Sequence, residues 1–248
     1  MEKQKNNRVV IEGEITSEFE LEWEFHGEGF YKVYLAIPRI NGDKWDYIPC
    51  LVSDRLVDVK LNMVGSIVRI KGEIRTHNKD YKLQVNVFAQ DVEFLDDYTS
   101  YGRCNKVVLH GFLCKQPVYR KTPLGREIAD MVFAVNRQYN KSDYIPCICW
   151  GRNARFASEL YVGDEMALVG RIQSREYLKN GETRIAYEVS VNRIEFAWDD
   201  EKFREILQES MNWEADRIME KVNADPSLKD VVAPEEIHDK LMEEIKKL

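Results

Sequence analysis

In the second half of the chain, short apolar runs alternate with polar positions and are separated by turn residues, the period expected of β-strands. Residues 106–113 are apolar and β-branched and close on a turn at Pro117. Thr122-Pro123-Leu124-Gly125 is a turn signal leading into a strand over 127–137. Asn140-Lys141-Ser142-Asp143 turns the chain into a third strand over 144–150. Residues 153–161 read differently: Ala154, Ala157 and Leu160 recur at helical spacing and Gly163 follows as a stop. Alternation resumes over 166–177 and 183–196, with Asn180-Gly181 as the hairpin signal between them.

The first half repeats this plan. Asp-Tyr-Ile-Pro-Cys occurs as Asp46 to Cys50 and again as Asp143 to Cys147. Asn7-Arg8-Val9-Val10-Ile11-Glu12-Gly13 is matched by Asn105-Lys106-Val107-Val108-Leu109-His110-Gly111. Val64-Gly65 and Gly72 are matched by Val162-Gly163 and Gly170, and Val92-Glu93-Phe94 by Ile194-Glu195-Phe196. An ordered series at nearly constant offset marks a duplicated domain whose copies each own a core. Strand-strand-strand-helix-strand-strand is the order of the OB barrel. The expected fold is therefore mainly β: two tandem five-stranded OB barrels, over residues 1–98 and 104–198, followed by a small α-helical segment over 200–248. In that segment Phe203, Ile206, Leu207, Met211, Trp213 and Ile218 suit one helix. Ile237, Leu241 and Ile245 give a narrow apolar stripe on a second, either a docking face or a partner-binding one.

Composition narrows the chemistry. Five cysteines, Cys50, Cys104, Cys114, Cys147 and Cys149, form no Cys-x-x-Cys pair, which supports neither a disulfide framework nor a zinc site. The four histidines are scattered, and no Ser/His/Asp, Cys/His or phosphate-loop constellation is present. No enzyme, metal or cofactor is expected. The N-terminal residues lack the apolar core of a signal peptide and no apolar run reaches spanning length, so a soluble, cytoplasmic protein without membrane contact is expected.

The net charge of −7 is unevenly spread. Residues 7–97 carry 11 basic and 17 acidic side chains, and residues 201–248 carry 8 and 13. Residues 105–198 carry 14 and 10, the one repeat whose sign attracts phosphate. In its third strand, alternation groups Tyr144, Pro146, Ile148 and Trp150 opposite Ile145, Cys147 and Cys149. In its fourth, Arg171, Gln173, Arg175 and Tyr177 share a face, and Arg137 and Tyr139 end the second. Rings interleaved with arginines suit unpaired bases, which stack on the rings while cations hold the backbone.

The second repeat resembles the bacterial single-stranded DNA-binding proteins of replication. The likeness rests on the run from Asn105 to Gly111, then Pro117-Val118-Tyr119-Arg120-Lys121-Thr122-Pro123-Leu124-Gly125 and Phe133-Ala134-Val135-Asn136-Arg137. It continues through Asp143 to Gly151, Gly170 to Tyr177 and Tyr187-Glu188-Val189. The resemblance implies base stacking at Tyr139, Tyr144, Trp150 and Tyr177. Phosphate contacts are expected from Arg120, Lys121, Arg137, Arg171, Arg175 and Arg184. It also implies sequence-tolerant binding of single-stranded DNA in replication, repair or recombination, and a homodimer presenting four OB domains.

The first repeat departs from that pattern. Trp150 is answered by Ser53, Arg171 by Glu73, Arg175 by His77 and Tyr177 by Lys79. Its segment 18–27 alternates acidic and apolar residues, so Phe19, Leu21, Trp23 and Phe25 are expected on one buried face. A structural or protein-interaction barrel with weak DNA affinity is expected here, although Trp23, Phe30, Tyr31 and Trp45 leave room for a different way of stacking bases. The chain ends in Glu243-Glu244-Ile245-Lys246-Lys247-Leu248 rather than the family's acidic tip, so recruitment of replication partners through that tip is not expected. Such partners would instead meet the acidic first repeat or the terminal helices. The rival reading is an OB-fold adaptor of a replication or phage complex with little DNA binding.

Overall fold

The computed structural model describes residues 6–39, 44–98, 104–179 and 181–196, so the helices expected beyond residue 200 lie outside the described residues. Among the described residues, twelve strands form one continuous sheet that closes on itself twice. In the first half, β1 (Asn7–Ile15), β3 (Glu28–Pro38), β4 (Trp45–Ser53), β6 (Lys82–Leu95) and β5 (Ile67–Lys79) pair in that ring order. The β1–β3 pairing at Glu14↔Ala36 closes the barrel. The second half repeats the ring with β7 (Asn105–Leu113), β9 (Glu127–Asn136), β10 (Ser142–Trp150), β12 (Glu182–Glu195) and β11 (Glu165–Lys179), closed by Phe112↔Ala134. Each ring has one parallel pair, β4–β6 and β10–β12, and is otherwise antiparallel. The inward parity of each strand builds the core, from Val9, Ile11, Leu35, Ile48, Ile70 and Ile74 to Leu109, Phe133, Ile145, Met166 and Ile172.

Two short strands are appended outside the rings, β2 (Glu20–Phe25) on β3 and β8 (Val118–Lys121) on β9. They form the two ends of the sheet order. The apolar residues of β2 are not buried as expected: Phe19 packs partly against the core, but Leu21, Trp23 and Phe25 are 57%, 39% and 65% exposed. A bulge at Glu22 breaks the alternation, so Trp23 and Phe25 share the outer face of Phe30 while Leu21 lies on the opposite face with Tyr31.

One α-helix occurs among the described residues, α1 (Arg152–Ala157), shorter than expected because Glu159 and Leu160 donate three residues back and tighten its end. The first repeat has turns where this helix was expected. The Asp58 and Asn62 carboxylate and amide oxygens accept from the backbone N–H groups of Lys60 and Val64, a local pattern that competes with helix formation. Val57 and Val59 add β-branched residues that disfavour helix in the same segment.

The barrels are joined by antiparallel pairing of β1 with β7, from Asn7↔Leu109 to Ile11↔Asn105. On either side of this joint lies a buried aspartate, and these are the first residues of the twin pentapeptide. Asp46 accepts from Arg39 of its own barrel at 2.6 and 2.9 Å. From the other barrel it accepts Arg171 Nη1 at 3.0 Å and the Ser174 N–H at 2.8 Å. Asp143 accepts from Arg137 of its own barrel, and from Arg75 Nη1 at 3.0 Å and the Thr76 N–H at 2.5 Å across the joint. The Tyr47 N–H donates to Ser174 Oγ and the Tyr144 N–H to Thr76 Oγ1, so the two seams obey one approximate two-fold.

Asp46 and Asp143 are 1% and 0% exposed, so each buried charge depends on its full set of donors. Asp46→Asn and Asp143→Asn are each expected to lower stability by roughly 3 kcal/mol, because removing one member leaves the arginines without their counter-charge. Urea unfolding measures this, and a loss within 0.5 kcal/mol (about the scatter of surface changes) would sink the assignment.

Candidate nucleic-acid interface

The outer face of β10 carries Tyr144, 51% exposed, and Trp150, 36% exposed, with Ile148 buried between them. Its inner face carries Ile145, Cys147 and Cys149. Burial pushes the Cys50 and Cys147 thiols up, and that of Cys149 to about 12, so these groups stay protonated and unreactive. Tyr139 stands 90% exposed on the connection between β9 and β10, with a left-handed φ of 61°.

Tyr177 is half-buried, with the Arg175 guanidinium 5.9 Å from its ring centroid. Glu188 accepts from Arg175 Nε and Nη2 at 2.8 and 2.9 Å, and from Gln173 Nε2 at 2.9 Å. The hydrogen bonds from Arg175 to this carboxylate raise the arginine's pKa and fix its plane. A buried carboxylate thus steadies an arginine, and the arginine lies against a ring.

Apart from Arg175, which Glu188 holds, the expected phosphate contacts divide into three groups. Lys121 is exposed and makes no ion pair. Arg120 and Arg184 pair with Asp130 at 2.8 Å and Glu182 at 3.1 Å, exposed contacts that exchange at little cost. Arg171 has the outward parity and Arg137 continues the inward series of Phe133 and Val135, and they bind Asp46 and Asp143 in the seams. Both guanidinium groups are thus engaged by carboxylates, and for Arg171 alternation tells which side of a sheet the side chain takes, not that a second barrel covers that side. Conversely, Arg126, Lys141 and Arg152 are exposed, make no ion pair and flank Lys121, Tyr139 and Trp150 in sequence. Only their position beside predicted aromatic or basic residues hinted at them. Among the described residues no group of His, Cys, Asp and Glu is arranged to hold a metal ion, and no helix is long and apolar enough to cross a membrane.

The geometry defines an OB-barrel protein with an outward shelf of rings and cations. The same fold is seen in the single-stranded DNA-binding protein from Thermus aquaticus, which superposes with a TM-score of 0.62 at 21% identity, over 78% of this chain and 93% of that one. Residues 104–197 match the profile of the Single-strand binding protein family. Over 100 residues the chain is 37% identical to single-stranded DNA-binding protein 3 of Clostridium acetobutylicum, covering 37% of this chain and 69% of that protein. It is 35% identical to single-stranded DNA-binding protein A of Bacillus subtilis over the same length, covering 58% of that protein. The chain belongs to the single-strand binding protein family.

The division of the arginines has a measurable consequence. Arg137→Ala and Arg171→Ala should each cost about 1–3 kcal/mol in urea unfolding, the range for a lost hydrogen bond to a charged group. Lys121→Ala and Arg126→Ala should stay within about 0.5 kcal/mol of the unaltered chain.

Proposed function

We propose that this protein binds single-stranded DNA with little sequence preference, in replication or the linked processes of repair and recombination. The observation that carries this reading is the shelf on the second barrel, where Tyr144, Trp150 and Tyr177 offer rings outward amid exposed cations. Each ring face accepts any base, so stacking favours affinity over sequence readout. Tyr139 extends the row at the tip of its loop. Lys121, Arg120, Arg175 and Arg184 supply positive charge, joined by Arg126, Lys141 and Arg152. Arg137 and Arg171 act indirectly by fixing the seams on which Tyr144 and Tyr47 rest.

The names of the relatives support this reading, and the adaptor alternative has no comparable support. The domains are proposed as two barrels, 1–98 and 104–198, with 200–248 as a separate extension. Two chains would present four barrels, the homodimeric assembly we favour. The function calls on no catalytic group and no cofactor, and acts in the cytoplasm.

Oligo-dT should quench the intrinsic fluorescence, and log affinity should fall linearly with log salt, because bound cations release counterions from the strand. Trp150→Ala and Tyr177→Ala should each weaken binding by about 1–3 kcal/mol. Undiminished affinity in the double variant would refute the placement of the site.

A further inference from the structure

The first barrel looks stripped of binding residues when the repeats are compared position by position along the sequence. The sheet register gives a different correspondence. A bulge at Glu22 shifts the strand, so that Trp23 lies opposite Phe30. The equivalent slot of the second barrel, opposite Ile128, holds Arg120. Across the face, Lys79 occupies the slot of Tyr177, and each sits opposite a cation, Lys82 or Arg184. Ring and cation have therefore exchanged places.

The missing Trp150 is accounted for in the same way. Trp150 pairs across the ladder with Ile128, whereas Ser53 pairs with Phe30, so this cross-strand pair keeps one ring but carries it on the neighbouring strand. Phe30 stacks with Trp23 at 5.5 Å and with Phe88 at 5.7 Å, making a run of three rings. Tyr47 matches Tyr144 directly, at 50% against 51% exposure.

Of these rings Trp23 borders a cavity of about 230 Å³, whose lining also includes Lys32, His77, Lys79 and Lys82. Two acids, Glu22 and Asp80, also line it. Glu22 accepts from Lys79 at 2.9 Å and Lys32 at 3.0 Å, and these hydrogen bonds hold its carboxyl below the usual range. Glu22 thereby gathers two lysines beside the exposed indole. Lys82 and His77 are exposed and make no ion pair.

We propose that the first barrel carries a second single-strand-binding surface, in which a base stacks on Trp23 and the backbone phosphates meet Lys79 and Lys82. The inference rests on the single-strand reading of the protein but assigns the first barrel a binding role that its acidic sequence argues against. Both barrels then engage one strand, and the length of strand covered by a chain exceeds what one barrel covers.

The test uses the full chain. Trp23→Ala combined with Lys82→Glu changes two exposed groups, and an unaltered urea midpoint verifies the fold. Titration with long oligo-dT should show the occluded length falling by about one barrel's share, ~4–16 nucleotides. Affinity for the long strand should fall at least tenfold, while a strand short enough for one barrel should bind nearly as before. Trp150→Ala with Tyr177→Ala should instead weaken the short strand most. An unchanged occluded length and long-strand affinity in the Trp23/Lys82 variant overturns this inference alone. Failure of the unaltered chain to bind oligo-dT overturns both readings.

Discussion

Two buried carboxylates, Asp46 and Asp143, set the relation between the barrels. The β1–β7 ladder by itself is a two-stranded joint, and a joint of that kind twists readily. Placing a carboxylate on each side, with donors from both barrels, removes this freedom. The desolvation of a buried charge is offset only when its acceptor sites are filled, and both aspartates receive guanidinium and backbone N–H donors. The seams also fix the neighbouring residues Tyr47 and Tyr144, whose N–H groups donate to hydroxyls of the opposite barrel. The outer faces therefore inherit their separation from the same bonds that hold the molecule together.

The asymmetry between seams lies in the residues around the aspartates. Burial of Tyr187 of the second barrel, beside Tyr34 of the first, pushes its pKa up to about 12. Its counterpart by register is Val85. One seam thus has an additional polar contact where the other has an apolar residue, while the aspartate clasp is common to both. Asp-Tyr-Ile-Pro-Cys therefore does the same structural work in both copies. Its aspartate clasps, its tyrosine faces outward, and its isoleucine and cysteine fill the core.

Much of this was legible in the sequence. Period-two alternation and turn residues located the barrel strands, and parity found the exposed rings of β10 because those depend only on local geometry. Arg171 could not be separated from Arg175 in this way, since its partner Asp46 lies 125 positions away in the chain. The missing helix of the first repeat turned on two short polar side chains, Asp58 and Asn62, capturing backbone N–H groups. Trp23 was misread for a third reason. Its alternation with glutamates signals one apolar face, but the bulge at Glu22 turns Trp23 onto the face opposite Leu21, and even spacing gives no sign of a bulge.

The charge of the first repeat is a weaker argument against binding than its sign suggests. At physiological ionic strength the screening length is about 8 Å, so exposed acids farther from a phosphate than this contribute little. What a bound strand meets is the local set: three lysines and His77, with Glu22 and Asp80, beside an exposed indole. Since Glu22 is already engaged by Lys32 and Lys79, it orders those lysines as well as opposing a phosphate. The second barrel uses the same device with the charges inverted, Arg120 on Asp130 where the first has Glu22 on Lys32. Because the seams rather than the faces hold the barrels together, ring and cation could change places on one face without disturbing the fold.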